Sequence, residues 1–190
     1  MNIAPLCIIQ ARLHSTRLPR KMLLELDGET LIARAVRLAG EVFYAQHVIV
    51  AIPIADADGA LAGELQRLNA NVYAHDGPEW DVLARYWHCA TRYRWHPDAI
   101  IHRWTPDDPF KDAQHVRKVI QGQRWPVEQG GEAFTLQMLT RAHQRTSPDD
   151  HAMREHIGTH PMLFPAPAPP APAGCWTVDT EDDYKAAQCR

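Results

Sequence analysis

Glycine-rich phosphate loops are missing from this chain. Only ten of its 190 residues are glycine, and none falls in the GxxxxGK[ST] spacing of a Walker-type loop. Cysteine is equally scarce. Cys7, Cys89, Cys175 and Cys189 form no CxxC pair and no knuckle spacing, which excludes the usual zinc-ribbon and redox motifs. Reduced thiols in a cytoplasmic protein are the expectation. No apolar run approaches the ~20 residues that cross a bilayer. The opening, MNIAPLCIIQAR, has no basic lead and no small-residue cleavage site, so it reads as a first strand rather than a signal peptide. Neither sign of charge dominates: 20 Lys and Arg stand against 23 Asp and Glu, for a net charge of -3. That balance excludes the strongly basic signature of a nucleic-acid or anionic-membrane partner, and neither is expected. What the chain does have is 45% hydrophobic and 23% charged residues, ordinary for a folded soluble protein. Its length suits a single domain over 1–190. Fifteen prolines and eleven histidines are the surplus.

Strand-like and helix-like pieces alternate along the sequence. Apolar or β-branched runs at 5–10 (PLCIIQ), 47–54 (HVIVAIPI), 71–74 and 99–104 (AIIHRW) predict four strands. Helical spacing is seen over 29–41, 57–68, 79–93 and 112–123, the last with Asp112 as N-cap. Short buried strands separated by helices predict βαβ units and a mostly parallel sheet flanked by helices, a Rossmann-like α/β domain. Ligands of such sheets bind beyond the carboxyl ends of the strands. Polar segments lie at three of those ends, 12–21, 56–58 and 107–112, and predict a nucleotide site. The only low-complexity stretch, 165–174 (PAPAPPAPAG), predicts extended polyproline II.

The segment ARLHSTRLPRK, 11–21, carries Arg12, Arg17, Arg20 and Lys21 with the hydroxyls of Ser15 and Thr16. Arginine offers a planar fork to phosphate and lysine a point charge. Read alone, it is either an anion-binding loop or a solvated basic loop. In context it resembles the opening of the cytidylyltransferases that activate acidic sugars, above all the branch named after the spore-coat polysaccharide biosynthesis protein F. The pattern there is A-R-x-x-S-T-R-L-P-x-K after a first strand. VIVAIPIADADGAL, DGPEWDVLARYW, IIHRWTPDDPFKD, SPDDHAMREHIGTHP and WTVDTEDDYKAA resemble further segments of the same family, in order.

The resemblance implies a Rossmann-like nucleotidyltransferase domain that transfers CMP from CTP to a small sugar-like acceptor and releases pyrophosphate. It implies a magnesium ion held by Asp107 and Asp179, with Asp108 second. Asp107 is alternatively a turn residue, and Asp179 or Thr180 with Asp183 a helix cap. The nucleotide would be held by Ala11, Arg12, Ser15, Thr16, Arg17, Lys21 and Asp81, and the acceptor by Arg103, Glu155 and His156. Arg12, Lys21 and Asp107 would be the catalytic set. Asp81 is alternatively an ordinary residue of a helix's first turn. A homodimer is implied, weakened because the family's dimer arm is compressed here into 125–134 (WPVEQGGEAF), with Glu132 at a family acidic position. The 165–174 stretch would return the chain to the cleft and deliver Asp179.

Four substitutions depart from the pattern. His14 and Arg20 replace glycines of the phosphate loop. Pro106 and Asp108 replace glycine and cysteine of the metal loop. They raise a second reading, a weakly active or inactive nucleotide- or sugar-binding relative. A third reading, a zinc hydrolase, comes from the spacing of His151, His156 and His160.

Overall fold

The computed structural model describes residues 3–94, 96–174 and 176–189; Cys175 lies outside the described residues. Its centre is β1 (Leu6–Gln10), whose Leu6, Cys7, Ile8 and Ile9 are wholly buried. A strand apolar on both faces can only be internal, covered on each side by helices. Parallel neighbours flank it: β4 (Val48–Pro53) on one side and β6 (Ile100–Trp104) on the other. β5 (Asn71–His75) adds to β4 in parallel, and β7 (Glu132–Thr135) closes the far edge antiparallel to β6. The order is β5-β4-β1-β6-β7. The chain thus winds outward from β1 to one side, then crosses back to β6. The crevice between the carboxyl ends of β1 and β6 is the switch point where open α/β sheets bind ligands.

Alternate residues of β1 feed two cores. Leu6 and Ile8 pack with α3 (Val82–Tyr93) and α6 (Leu136–Arg145), while Cys7 and Ile9 pack with α1 (Leu31–Gly40), α2 (Ala60–Arg67) and α4 (Ala113–Ile120). Helix starts are fixed by short polar side chains. Thr30, Asp81, Asp112 and Thr135 each accept from a backbone N–H of the first turn. Cap geometry explains why the third helix begins at Val82 rather than Glu79. The second begins at Ala60 because 54–56 forms a short 3-10 turn.

Three features go beyond the expected strands and helices. β2 (Glu25–Leu26) and β3 (Glu29–Thr30) form a hairpin whose Asp27 and Gly28 both take positive φ, 54° and 76°. That is the conformation a two-residue Asp-Gly turn requires. β7 and α6 make an edge strand and a second helix against the first core. Beyond the short helices α5 (Val127–Gly130) and α7 (His151–Glu155), the chain runs through the proline stretch to α8 (Glu181–Gln188). Val178, fully buried, packs there with Leu18, Leu26, Leu31 and Ala187. This small third core pins the C-terminal segment over the loop that follows β1. No helix among the described residues is long and apolar enough to cross a membrane.

Candidate active site

The loops after β1 and β6 wall a cleft of about 580 Å³ at the switch point. Arg12, Ser15, Thr16, Arg17 and Lys21 line one side, Arg103 and Asp107 the floor, and Glu155 and His156 the far rim. At its centre is Lys21, placed by a short 3-10 turn (Lys21–Leu23). Its Nζ donates to Asp107 Oδ2 at 2.9 Å and to Asp179 Oδ1 at 2.8 Å. Burial works against this ammonium, but the two carboxylates outweigh it and raise its pKa. Arg17 adds a contact of 3.0 Å to Asp179 Oδ2.

Residues 158 positions apart in the chain therefore meet at one atom. The meeting is built by backbone as well as charge. Val178 N donates to Asp107 O at 2.7 Å, which locks the C-terminal segment to the loop after β6. Thr180, not Asp179, caps α8, in a reciprocal box with Asp183. The Asp179 carboxylate is left to meet Lys21 and Arg17.

The substituted glycine positions are tolerated for identifiable reasons. His14 has ordinary backbone, and its largely exposed ring points outward, 3.3 Å from Glu79. Pro106 occupies the second position of a turn closed by Asp108 N and Thr105 O at 3.2 Å, where a fixed φ near -65° is favourable. Arg20 alone takes the glycine-like conformation, φ 55°, at a cost of roughly 1–2 kcal/mol.

Several expected site residues have other jobs. Asp81 does not line the cleft. Its Oδ1 accepts from Ala84 N as the cap of α3, and its Oδ2 is held by Arg154 at 2.6 and 2.9 Å. Asp81, expected at the nucleotide, anchors α7 to α3 in this structure. Asp108, ranked second as a metal ligand, is also engaged elsewhere. It is buried against Lys111 at 2.7 Å and Thr177 at 2.7 Å, and the Lys111 ion pair keeps it ionised although burial opposes its charge. Ala11 continues the pairing of β1 with β4, donating to Ala51 O. Arg103 is half-buried and paired with Glu132, its antiparallel cross-strand partner. Burial opposes the Arg103 charge and Glu132 restores it. Glu155 touches Arg12 at 3.5 Å. Lys111, Arg154 and Thr177 lie inside the segments that carry the resemblance, but their residue types gave no hint of the buried contacts they make.

The three histidines do not form a zinc site. His151 stacks on Trp80 with ring centroids 3.9 Å apart. The helix ends at Glu155, so His156 and His160 share no helical face. Both His160 nitrogens are used, one with Thr146 Oγ1 and one accepting from Met162 N. Among the described residues no group of three or more His, Cys, Asp or Glu is placed to hold a metal ion.

A crevice at a parallel-sheet switch point, here edged by a cationic loop and two convergent carboxylates, is where open α/β folds bind their ligands. A family model described as Cytidylyltransferase matches residues 6–153, and the chain belongs to that family. It is 29% identical over 205 aligned residues to the spore coat polysaccharide biosynthesis protein SpsF of Bacillus subtilis, covering 95% of this chain and 83% of that protein. It is 31% identical over 114 residues to a 3-deoxy-manno-octulosonate cytidylyltransferase of Methylococcus capsulatus, covering 60% of this chain and 42% of the relative. The chain spans less than half the length of the 3-deoxy-manno-octulosonate cytidylyltransferases it matches. In fold it superposes on a cytidylyltransferase of Leptospira borgpetersenii with a TM-score of 0.79 at 20% identity, over 98% of this chain and 86% of the other.

Proposed function

We propose that this chain transfers CMP from CTP to a sugar-acid or sugar-like acceptor in a magnesium-dependent reaction. The observation that carries the reading is the convergence of Asp107 and Asp179 on one cation, Lys21 Nζ, beside a loop of arginines. Two hard carboxylates that already reach a common point fit magnesium, which takes one or two carboxylates and completes its shell with phosphate oxygens and water. When bound, the ion supplies charge neutralisation at phosphate and lowers the pKa of an acceptor oxygen.

The remaining work falls to the chain's own residues. Arg12, Arg17 and Lys21 cradle the triphosphate and offset the charge that grows on departing pyrophosphate. The acceptor enters on the side of Arg103, His156 and Gly158, where Glu132 holds the Arg103 guanidinium in place. An acceptor hydroxyl gives its proton to solvent as its oxygen attacks the α-phosphorus, the bond from that phosphorus to the bridging oxygen breaks, and pyrophosphate leaves with the bonding pair. Positioning and electrostatics suffice, with no covalent intermediate. The tolerated backbone at His14 and Pro106 supports retained chemistry over the reading as an inactive relative.

The test is pyrophosphate release from CTP with magnesium and a panel of acidic and amino sugars. Asp107→Asn and Asp179→Asn should each lower turnover by about a hundredfold or more. Undiminished turnover in either variant contradicts the assignment.

A further inference from the structure

The end of α4, the segment after it and the proline strap line a cavity of about 460 Å³. Its walls are apolar from both sides: Val119, Trp125 and Val127 from α4 and beyond, Phe164, Pro165 and Pro167 from the start of the strap. Proline rings add apolar surface and no N–H donor. The two aromatic walls are held in place by the protein itself. The Trp125 indole stacks on His115 with ring centroids 4.4 Å apart and has Lys118 Nζ 4.3 Å from its centroid. Phe164 meets Phe134 of β7 edge-on at 5.8 Å. Of the charged residues here, Glu132 is paired with Arg103 and Arg124 is exposed. One polar atom is unmet: Trp125 Nε1 is shut off from solvent and has no hydrogen-bond partner. An indole only donates, and an enclosed donor without an acceptor is costly. The cavity adjoins the cleft, since Gly158 and Thr159 line both. A Cβ on Gly158 would stand 3.2 Å from Arg103 Nη1 and 3.4 Å from Glu132 Oε2, so glycine keeps this divide thin. Among the described residues, none of 11–21 lines the cavity, which places it on the acceptor's side and not on the triphosphate's.

We propose that the acceptor carries an amide-linked acyl arm longer than acetyl, which fills this cavity with its carbonyl oxygen on Trp125 Nε1; this rests on the transfer reading given above. Apolar pockets with one or two placed polar groups take ligands of matching pattern. An apolar chain that begins at a carbonyl is the smallest group with that pattern. Linked as an amide, its oxygen is a stronger acceptor than that of an ester. A bare polyhydroxylated acid would leave the apolar walls wet and the indole donor unmet. The substrate class is therefore an N-acylated amino sugar acid, its carboxylate and hydroxyls in the cleft and its acyl arm across Gly158.

The experiment is calorimetric titration of the full chain with the N-acetyl, N-butanoyl and N-hexanoyl derivatives of 2-amino-2-deoxyglucuronic acid, and separately with CTP and magnesium. Wild-type affinity should rise from acetyl to butanoyl by about tenfold, the worth of two further buried CH2 groups. Ala166→Trp fills the cavity from the exposed strap. It should cancel the gain from the longer chains and leave CTP binding and melting temperature unchanged. Trp125→Phe keeps an apolar ring and removes the donor. It should weaken all three acyl compounds by about fivefold while the increment per CH2 persists. If Trp125→Phe does not fold, Ala166→Trp carries the test alone. A wild type that binds CTP but gains nothing from a longer acyl chain overturns the inference. So does a gain that survives in Ala166→Trp, the mark of non-specific apolar association. Unchanged affinities in Trp125→Phe overturn the carbonyl contact. A wild type that follows the acyl series but binds no CTP with magnesium overturns instead the transfer reading beneath it.

Discussion

Lys21 Nζ occupies the point on which Asp107 and Asp179 converge, at 2.9 and 2.8 Å. A divalent ion arriving there competes with the lysine, and the lysine needs a new anion. Triphosphate supplies one, so metal and nucleotide should bind with positive coupling. Lys21→Ala removes the competitor. Its affinity for manganese alone should rise by on the order of tenfold, while manganese no longer strengthens CTP binding. Calorimetry reads both, and unchanged manganese affinity would refute the competition. His102 gives a second residue-scale prediction. Burial pushes its pKa down to about 3 from the ordinary 6.5, and its Nε2 meets Gly130 O at 2.9 Å. The unfolded chain then binds the proton between those values and the folded chain does not. This group's contribution is full above pH 6.5 and is lost as pH falls toward 3. Urea unfolding at pH 7 and pH 5 should show about 2 kcal/mol of loss from this residue. His102→Gln should flatten the profile by that amount. Partial burial lowers the pKa of His75, His143 and His160 too, with the same sign.

The C-terminal strap is the element on which the site depends most. Residues 165–174 bridge from the rim of the cleft back to Val178, which seats among Leu18, Leu26 and Leu31 and bonds to Asp107. Truncation after Phe164 removes Asp179 and should abolish magnesium-dependent CTP binding in calorimetry. Replacing 165–172 by Gly-Ser of equal length should retain binding, weakened by chain entropy. Full CTP affinity after truncation would make the strap dispensable. Elements differed in how far the sequence exposed them. The inner strands β1 and β4 were legible as apolar runs because burial on both faces leaves no alternation to misread. Edge strand β7 was not, since EAFT is short and its Glu132 acquires meaning only from Arg103 across the ladder. The Asp27-Gly28 hairpin carried its turn signal, but strands of two residues give no periodicity. Asp81 looked like a ligand because capping, ion pairing and binding all use the same carboxylate; only Arg154, 73 residues away, decides between them.

At the scale of the molecule, the sheet order puts the loops of β1 and β6 side by side, and the third core brings the C-terminal segment across both. Lys21, Asp107 and Asp179 come from three distant parts of the chain and meet in one crevice. This is the claim that everything else serves. It is tested most directly by thermal unfolding with CTP, with and without magnesium, in the wild type, Asp107→Asn and Asp179→Asn. Ligand that binds only the folded state raises apparent stability by mass action. The wild-type melting temperature should rise with CTP only when magnesium is present, and neither variant should respond. An equal rise without magnesium, or in either variant, would contradict the account.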